Sequence, residues 1–231
     1  MTNPSTYLSR RQELETYFGT TAAEAWARLT SDAPVSGIRA TVRAGRDRMR
    51  ATLLSWLPAD LTGLRILDAG CGTGALAIEA AERGAQVVAI DLAGPLVDVA
   101  RKRTPPGLDI TYGTGDMMDP ALGKFDHVVA MDSLIHYRAA DMARTIAGLA
   151  AQCTGSMVFT FAPRTPLLTV AHNVGKLFPR RDRAPAIEPV GPRHIQALLR
   201  GTPSLTGWTP GRTLRIKSGF YTSQAAEMVR R

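Results

Sequence analysis

Residues 66–74 read Ile66-Leu67-Asp68-Ala69-Gly70-Cys71-Gly72-Thr73-Gly74, and their order decides the fold. An apolar run that starts at Leu64 ends in an acid. Glycines follow at alternating positions, and a helical pattern, Ala75-Leu76-Ala77-Ile78-Glu79-Ala80-Ala81, begins at once. Glycines at a strand-to-helix turn let the chain bend sharply and let a ligand lie against bare backbone. A second apolar run, Val87-Val88-Ala89-Ile90, ends in Asp91. A carboxylate there can accept both hydroxyls of a ribose. A nucleoside-containing cofactor spanning two adjacent strand ends is the expectation.

The spacing Gly70-x-Gly72-x-x-Ala75 also satisfies the dinucleotide fingerprint, so the glycines alone do not choose the cofactor. Asp68 chooses. A carboxylate repels a pyrophosphate and attracts a ligand that carries an ammonium and a sulfonium. Asp68-x-Gly70-x-Gly72-x-Gly74 resembles the first motif of the class I S-adenosylmethionine-dependent methyltransferases. The resemblance implies a Rossmann-like α/β fold with a mostly parallel seven-stranded sheet. It also implies S-adenosylmethionine as cofactor, held at Asp68, Gly70, Cys71, Gly72, Gly74, Asp91 and Leu92.

Composition sets the bounds. The 231 residues suit one large domain or one domain with an extension. With 45% hydrophobic and 21% charged residues the chain reads as globular. No apolar run is long enough to span a bilayer, and no h-region follows Met1-Thr2-Asn3-Pro4-Ser5. Cys71 and Cys153 suggest neither a disulfide framework nor a zinc site, so a cytoplasmic setting and no bound metal are expected. The net charge of +8 favours anionic partners. Arginines crowd residues 39–50 and again 164–193, which also suits two solvated basic faces.

Helical spacing covers residues 8–30 and, after Pro34 and Gly37, residues 38–57, with Pro58 as the stop. Residues 1–58 therefore read as an N-terminal helical extension or lid, and 59–231 as the methyltransferase domain. Strands are expected at 64–68, 86–90, 109–112, 125–131 and 156–161, with helices near 74–83, 94–103, 139–151 and 165–178. Such alternation implies right-handed crossovers and a parallel sheet. Residues 203–209 and 212–221, joined by Pro210-Gly211, read as an antiparallel C-terminal hairpin.

Two further strand ends carry chemistry. After the third comes Gly113-Thr114-Gly115-Asp116-Met117, where Asp116 can accept an adenine amino group and Met117 can pack on the ring. After the fourth comes Met131-Asp132-Ser133-Leu134-Ile135-His136-Tyr137. This segment, from Met131 on, should pass under the methionine end of the cofactor. It would leave His136 and Tyr137 at the mouth where a methyl acceptor arrives.

At this point the match narrows. Asp132-Ser133-Leu134-Ile135-His136-Tyr137, then Phe159-Thr160-Phe161-Ala162-Pro163-Arg164-Thr165-Pro166 and Gly175-Lys176-Leu177-Phe178-Pro179, resemble the magnesium-protoporphyrin O-methyltransferases. Tyr17-Phe18 and Trp26-Ala27-Arg28-Leu29 fit the same family. The resemblance implies methyl transfer to one propionate of magnesium-protoporphyrin IX, as in (bacterio)chlorophyll synthesis. It also implies the porphyrin-binding subunit of a magnesium chelatase as partner, and peripheral contact with a membrane surface. His136 and Tyr17 then orient the acceptor carboxylate, with Tyr137, Arg164, Phe18 and Trp26 toward the substrate. His136 as an axial magnesium ligand is the other role open to it. The apolar face Leu167, Ala171, Val174 and Phe178 reads as a wall for a flat macrocycle or as a core-facing helix, and Arg180 and Arg181 can pair with the second propionate.

A nucleic-acid methyltransferase is the rival suggested by the charge, but no Asn/Asp-Pro-Pro-Tyr segment is present and Cys153 lacks a Pro-Cys setting. A non-enzymatic porphyrin carrier is the other alternative.

Overall fold

The computed structural model describes residues 4–21, 26, 28–30, 37–164 and 186–231. Helix α1 (Pro4–Thr16) runs into a π-helical turn, Tyr17–Thr21, and α2 covers Gly37–Ser55. The alternating part follows: β1 (Arg65–Ala69), α3 (Ala75–Glu82), β2 (Gln86–Asp91), α4 (Gly94–Arg103), β3 (Ile110–Thr114), β4 (Phe125–Ala130), α5 (Ala139–Gln152) and β5 (Cys153–Phe161). Helix α6 (Pro192–Arg200), β6 (Trp208–Ser218) and β7 (Tyr221–Arg230) complete the described chain.

The sheet order is β3-β2-β1-β4-β5-β7-β6, with β7 antiparallel to both its neighbours and the other pairings parallel. The order reverses between β1 and β4. Loops leaving these two carboxyl ends diverge, and a ligand crevice opens there. The side-chain period of two explains why the strands read as continuous apolar runs, since both faces are covered. Leu67, Ile90, Val128, Met157 and Phe159 point into one core, with α5 and α6. Ile66, Val87, Val129 and Val158 point into the other, with α2, α3 and α4.

The N-terminal helices straddle the sheet. Tyr7 and Leu14 of α1 are buried in the first core, and Met49, Leu53 and Leu54 of α2 in the second. Much of the early arginine cluster is turned inward. Arg46 pairs with Asp132, Arg50 with Glu79 and Asp47, and Arg43 Nε donates to the Leu29 carbonyl.

The C-terminal strand pair exists, but its turn is not at Pro210-Gly211. Those residues form an irregularity inside β6, where the register shifts between Pro210 and Thr213. The chain reverses at Gly219 and Phe220, with Gly219 at φ +55°. Polar residues Ser223, Gln224 and Glu227 disguise β7, a strand buried between two others. Glu227 tolerates burial because the Arg212 guanidinium and backbone N–H both donate to it. Helix α6 also went unread, and the helix expected at 165–178 lies outside the described residues.

Candidate functional site

The crevice is built where β1, β2, β3 and β4 end. The backbone N–H groups of Gly70 and Cys71 both donate to the Ile90 carbonyl, at 2.8 and 3.0 Å, and this stitches the glycine turn to β2. Gly70 and Gly74 sit at φ +89° and +81° and are packing positions. A Cβ on Gly70 would collide with Ser133, and one on Gly74 would stand 2.6 Å from the Tyr112 hydroxyl. Gly72 differs. A Cβ there would meet nothing nearer than Trp26 Nε1, at 3.7 Å. Gly72 is therefore the place where a ligand can approach bare backbone.

Asp91 holds this turn. Its Oδ2 accepts from the Gly72 N–H at 2.8 Å and its Oδ1 from the Ala93 N–H at 2.9 Å. Burial pushes its pKa up, against the pull of these N–H donors. Asp68 is 1% exposed, and its Oδ2 meets no hydrogen-bond partner among the described residues. Burial first, then the neighbouring Asp91 charge, raise the Asp68 pKa to about 7. Among the described residues neither carboxylate has a basic side-chain partner. A buried acceptor without a donor, inside an anionic pocket, suits a ligand with an ammonium and repels a pyrophosphate. The residues present thus fit S-adenosylmethionine.

The raised Asp68 pKa has a consequence with a definite sign. The folded protein keeps this proton up to about pH 7, whereas an unfolded aspartate releases it near pH 4. Stability therefore falls as pH rises from about 4 to 7. Asp68→Asn should stabilise the cofactor-free protein above pH 7, on the order of 1 kcal/mol or more, and hardly at all near pH 4. Thermal melts of both proteins across that range check this, and equal shifts at pH 4 and pH 8 would contradict it.

At the β3 end, Asp116 accepts from the Tyr7 hydroxyl (3.0 Å), Arg11 (3.0 Å) and the Met118 N–H (2.9 Å). The carboxylate expected at an adenine amino group is thus already engaged by α1, while Met117 is buried in the core. Gly115 has open space beside it. Tyr7 stacks on Tyr137 at 5.3 Å. Burial is the main cause that pushes both phenols above their ordinary range, so both stay protonated donors. Tyr7→Phe should keep the stack and lose one hydrogen bond to a charged group, a cost of about 1–2 kcal/mol. Chemical denaturation measures it, and an unchanged midpoint would contradict it.

Tyr137 corrects an expectation. It is 2% exposed and belongs to the core rather than to the substrate mouth. Across the 3-10 turn Leu134–His136 the two side chains meet different neighbours, Tyr137 stacking on Tyr7 and His136 lying against Phe18. His136 is half-buried and lies 5.7 Å from the Phe18 ring. Phe18 in turn meets Tyr17 at 5.1 Å and Trp26 at 5.8 Å, both edge-on. The structure therefore brings Tyr17, Phe18, Trp26 and His136 into one aromatic group. Trp26 stands at the end of this group nearest Gly72. Cys71 packs into the second core with its thiol pKa raised by burial. Met131 is buried there too, and Leu92 is packed against the first core. Arg164 is exposed, with its backbone N–H on the Val190 carbonyl. Arg180 and Arg181 lie outside the described residues. Tyr7 and Arg11 were not singled out from sequence, Arg46 stood out only as one of the arginines crowding residues 39–50, and Ser133 only as part of the segment after the fourth strand. The one available signal was Asp132, a further acid just past an apolar strand.

Comparison with known proteins sharpens this geometry. The model of the magnesium-protoporphyrin IX methyltransferase C-terminus matches residues 130–230, and a general methyltransferase domain model matches residues 66–154. The magnesium-protoporphyrin O-methyltransferase of Rhodobacter capsulatus is 48% identical over 227 residues, covering 97% of this chain and 98% of that protein. Its counterpart in Synechocystis is 32% identical, with full coverage of both. The crystal structure of magnesium protoporphyrin IX methyltransferase from Synechocystis PCC 6803 with bound SAH is 30% identical. It superposes with a TM-score of 0.83 over 96% of this chain and all of that one. With its seven-stranded sheet, glycine turn and paired strand-end carboxylates, the chain belongs to the magnesium-protoporphyrin O-methyltransferase family.

Proposed function

We propose that this protein transfers a methyl group from S-adenosylmethionine to a propionate carboxylate of magnesium-protoporphyrin IX, giving the monomethyl ester. The observation that carries the reading is the juxtaposition at the β1 and β4 ends. An anionic pocket that fits a cationic nucleoside opens beside an aromatic group containing His136.

When bound, the cofactor supplies an electrophilic methyl on a sulfonium. Asp68 would accept from its ammonium and Asp91 from its ribose hydroxyls, with bare backbone at Gly72 and Gly115 beside them. Leu92 and Met131 would add apolar walls. Asp116 and Met117 would act at the adenine end, Asp116 through α1. On the acceptor side a propionate is already ionised at neutral pH, so no strong base is needed. His136 and Tyr17 orient the carboxylate by hydrogen bonding. Phe18 and Trp26 offer edges and faces to a flat apolar macrocycle. Transfer neutralises a carboxylate and a sulfonium together, so excluding water and fixing the approach are the main demands.

Residues 4–21, 26 and 28–30 then serve as a cover over the crevice. Arg164, exposed just past β5, suits the second propionate. Delivery by the porphyrin-binding subunit of a magnesium chelatase, in the cytoplasm or at a membrane surface, fits the +8 charge and the exposed Phe220 and Ile38. No helix among the described residues is long and apolar enough to cross a membrane.

The test compares turnover with magnesium-protoporphyrin IX, its dimethyl ester and RNA. Only the free diacid should be methylated. Equal turnover on the dimethyl ester or on RNA would refute the assignment.

A further inference from the structure

Just past β4 stands a carboxylate with no role so far. Asp132 is the one non-glycine residue with positive φ (+54°) among the described residues, a conformation aspartate tolerates better than most. Its side chain is 5% exposed. It accepts from Arg46 Nη1 of α2 at 2.6 Å, from the Tyr221 hydroxyl of β7 at 3.1 Å to both oxygens, from Ser223 Oγ at 3.3 Å and from Thr160 Oγ1 of β5 at 3.2 Å. Its own N–H donates to Thr160 Oγ1 at 2.7 Å. Donors on three separate elements thus fix one residue in an uncommon backbone conformation. Such a conformation persists only where its surroundings over-determine it.

What this fixes is the turn that follows. Ser133, the next residue, donates from Oγ to the Ala69 carbonyl at 2.8 Å, and its Cβ fills the space beside Gly70. Three residues further on is His136. Asp132 is therefore the root of a short rigid arm with one side on the cofactor's glycine turn and its tip on the acceptor side. Arg46 extends the same network. Its guanidinium lies 4.8 Å over the ring of Trp26, which stands at Gly72.

We propose that Asp132 is a positioning residue for methyl transfer, holding the Ser133–His136 turn so that the acceptor group at His136 keeps its line to the cofactor's methyl. The proposal rests on the reading of His136 as the group that orients the acceptor carboxylate. The charge of Asp132 matters here as well as its shape. Asn is nearly isosteric, but it leaves Arg46 without its carboxylate and presents an amide to donors on every side.

The experiment is a double-mutant cycle on the full chain. It uses Asp132→Asn, His136→Ala and the pair, reading kcat with magnesium-protoporphyrin IX and, separately, SAH affinity by calorimetry. Asp132→Asn should lower kcat about 10- to 100-fold, as a misaligned nucleophile does, with SAH affinity unchanged within about threefold. The double variant should be no slower than the slower single one by more than about threefold, because both act through one geometry. Effects that multiply, SAH affinity falling in step with kcat, or full turnover by Asp132→Asn would each overturn the proposal. Full turnover by His136→Ala would sink the reading of His136 and the proposal with it, and that outcome is separate from the others. Tyr221→Phe removes one donor and keeps the ring. It should give the same split between kcat and affinity at about 3- to 10-fold, so the test stays readable if Asp132→Asn folds poorly.

Discussion

Asp91→Ala should lower affinity for S-adenosylmethionine and SAH about 30- to 150-fold, roughly 2–3 kcal/mol, with folding little affected. The carboxylate does two things at once. It would accept the ribose hydroxyls, and it pins the ligand-facing turn by accepting from Gly72 and Ala93. The effect on folding is small because two terms oppose. The variant leaves two N–H groups to find water in an opened crevice. It also removes a buried charge that raises the pKa of its neighbour Asp68. Asp91→Asn, which keeps the shape and one acceptor oxygen, should fall about midway. Calorimetry with SAH checks both variants, and unchanged affinity in a folded Asp91→Ala protein would take Asp91 out of the cofactor site.

His136→Ala should lower turnover about 10- to 1000-fold while SAH affinity stays within about threefold of the parent. The residue is proposed to face the acceptor, and it lies against Phe18 in the same aromatic group as Tyr17. Its proposed work is orientation rather than proton removal, since a propionate needs no deprotonation at neutral pH. His136→Gln, which can still donate a hydrogen bond, should recover part of the loss. Wild-type turnover by His136→Ala would remove it from the reaction. Equal damage to SAH affinity would put it at the wrong end of the crevice.

Both residues stand out as candidates in the sequence because each follows an apolar run, where an open parallel sheet places its ligands. The same logic singles out Asp68 and the glycine turn as candidates, and it places most strand ends within a residue or two. Residues whose role depends on distant partners were not legible. Nothing near Asp116 in sequence announces that Tyr7 and Arg11, more than a hundred positions earlier, engage it. Tyr137 follows His136 directly, yet the 3-10 turn sends it into the core against Tyr7. The C-terminal hairpin shows how a local turn signal misleads. Pro210-Gly211 looks like a reversal, but the long-range Arg212–Glu227 pair absorbs it as an irregularity inside β6. The real turn at Gly219 packs on Thr41 of α2, a contact that no local pattern shows.

The central claim is that the methyl group goes onto a porphyrin carboxylate. The most direct measurement follows methyl-labelled S-adenosylmethionine into product with magnesium-protoporphyrin IX as acceptor. The label should appear in the porphyrin as one ester methyl that mild base releases, and Asp91→Ala and His136→Ala should each reduce its appearance. Label that survives base on the porphyrin, or no transfer to the porphyrin by a protein that binds SAH, would contradict the account.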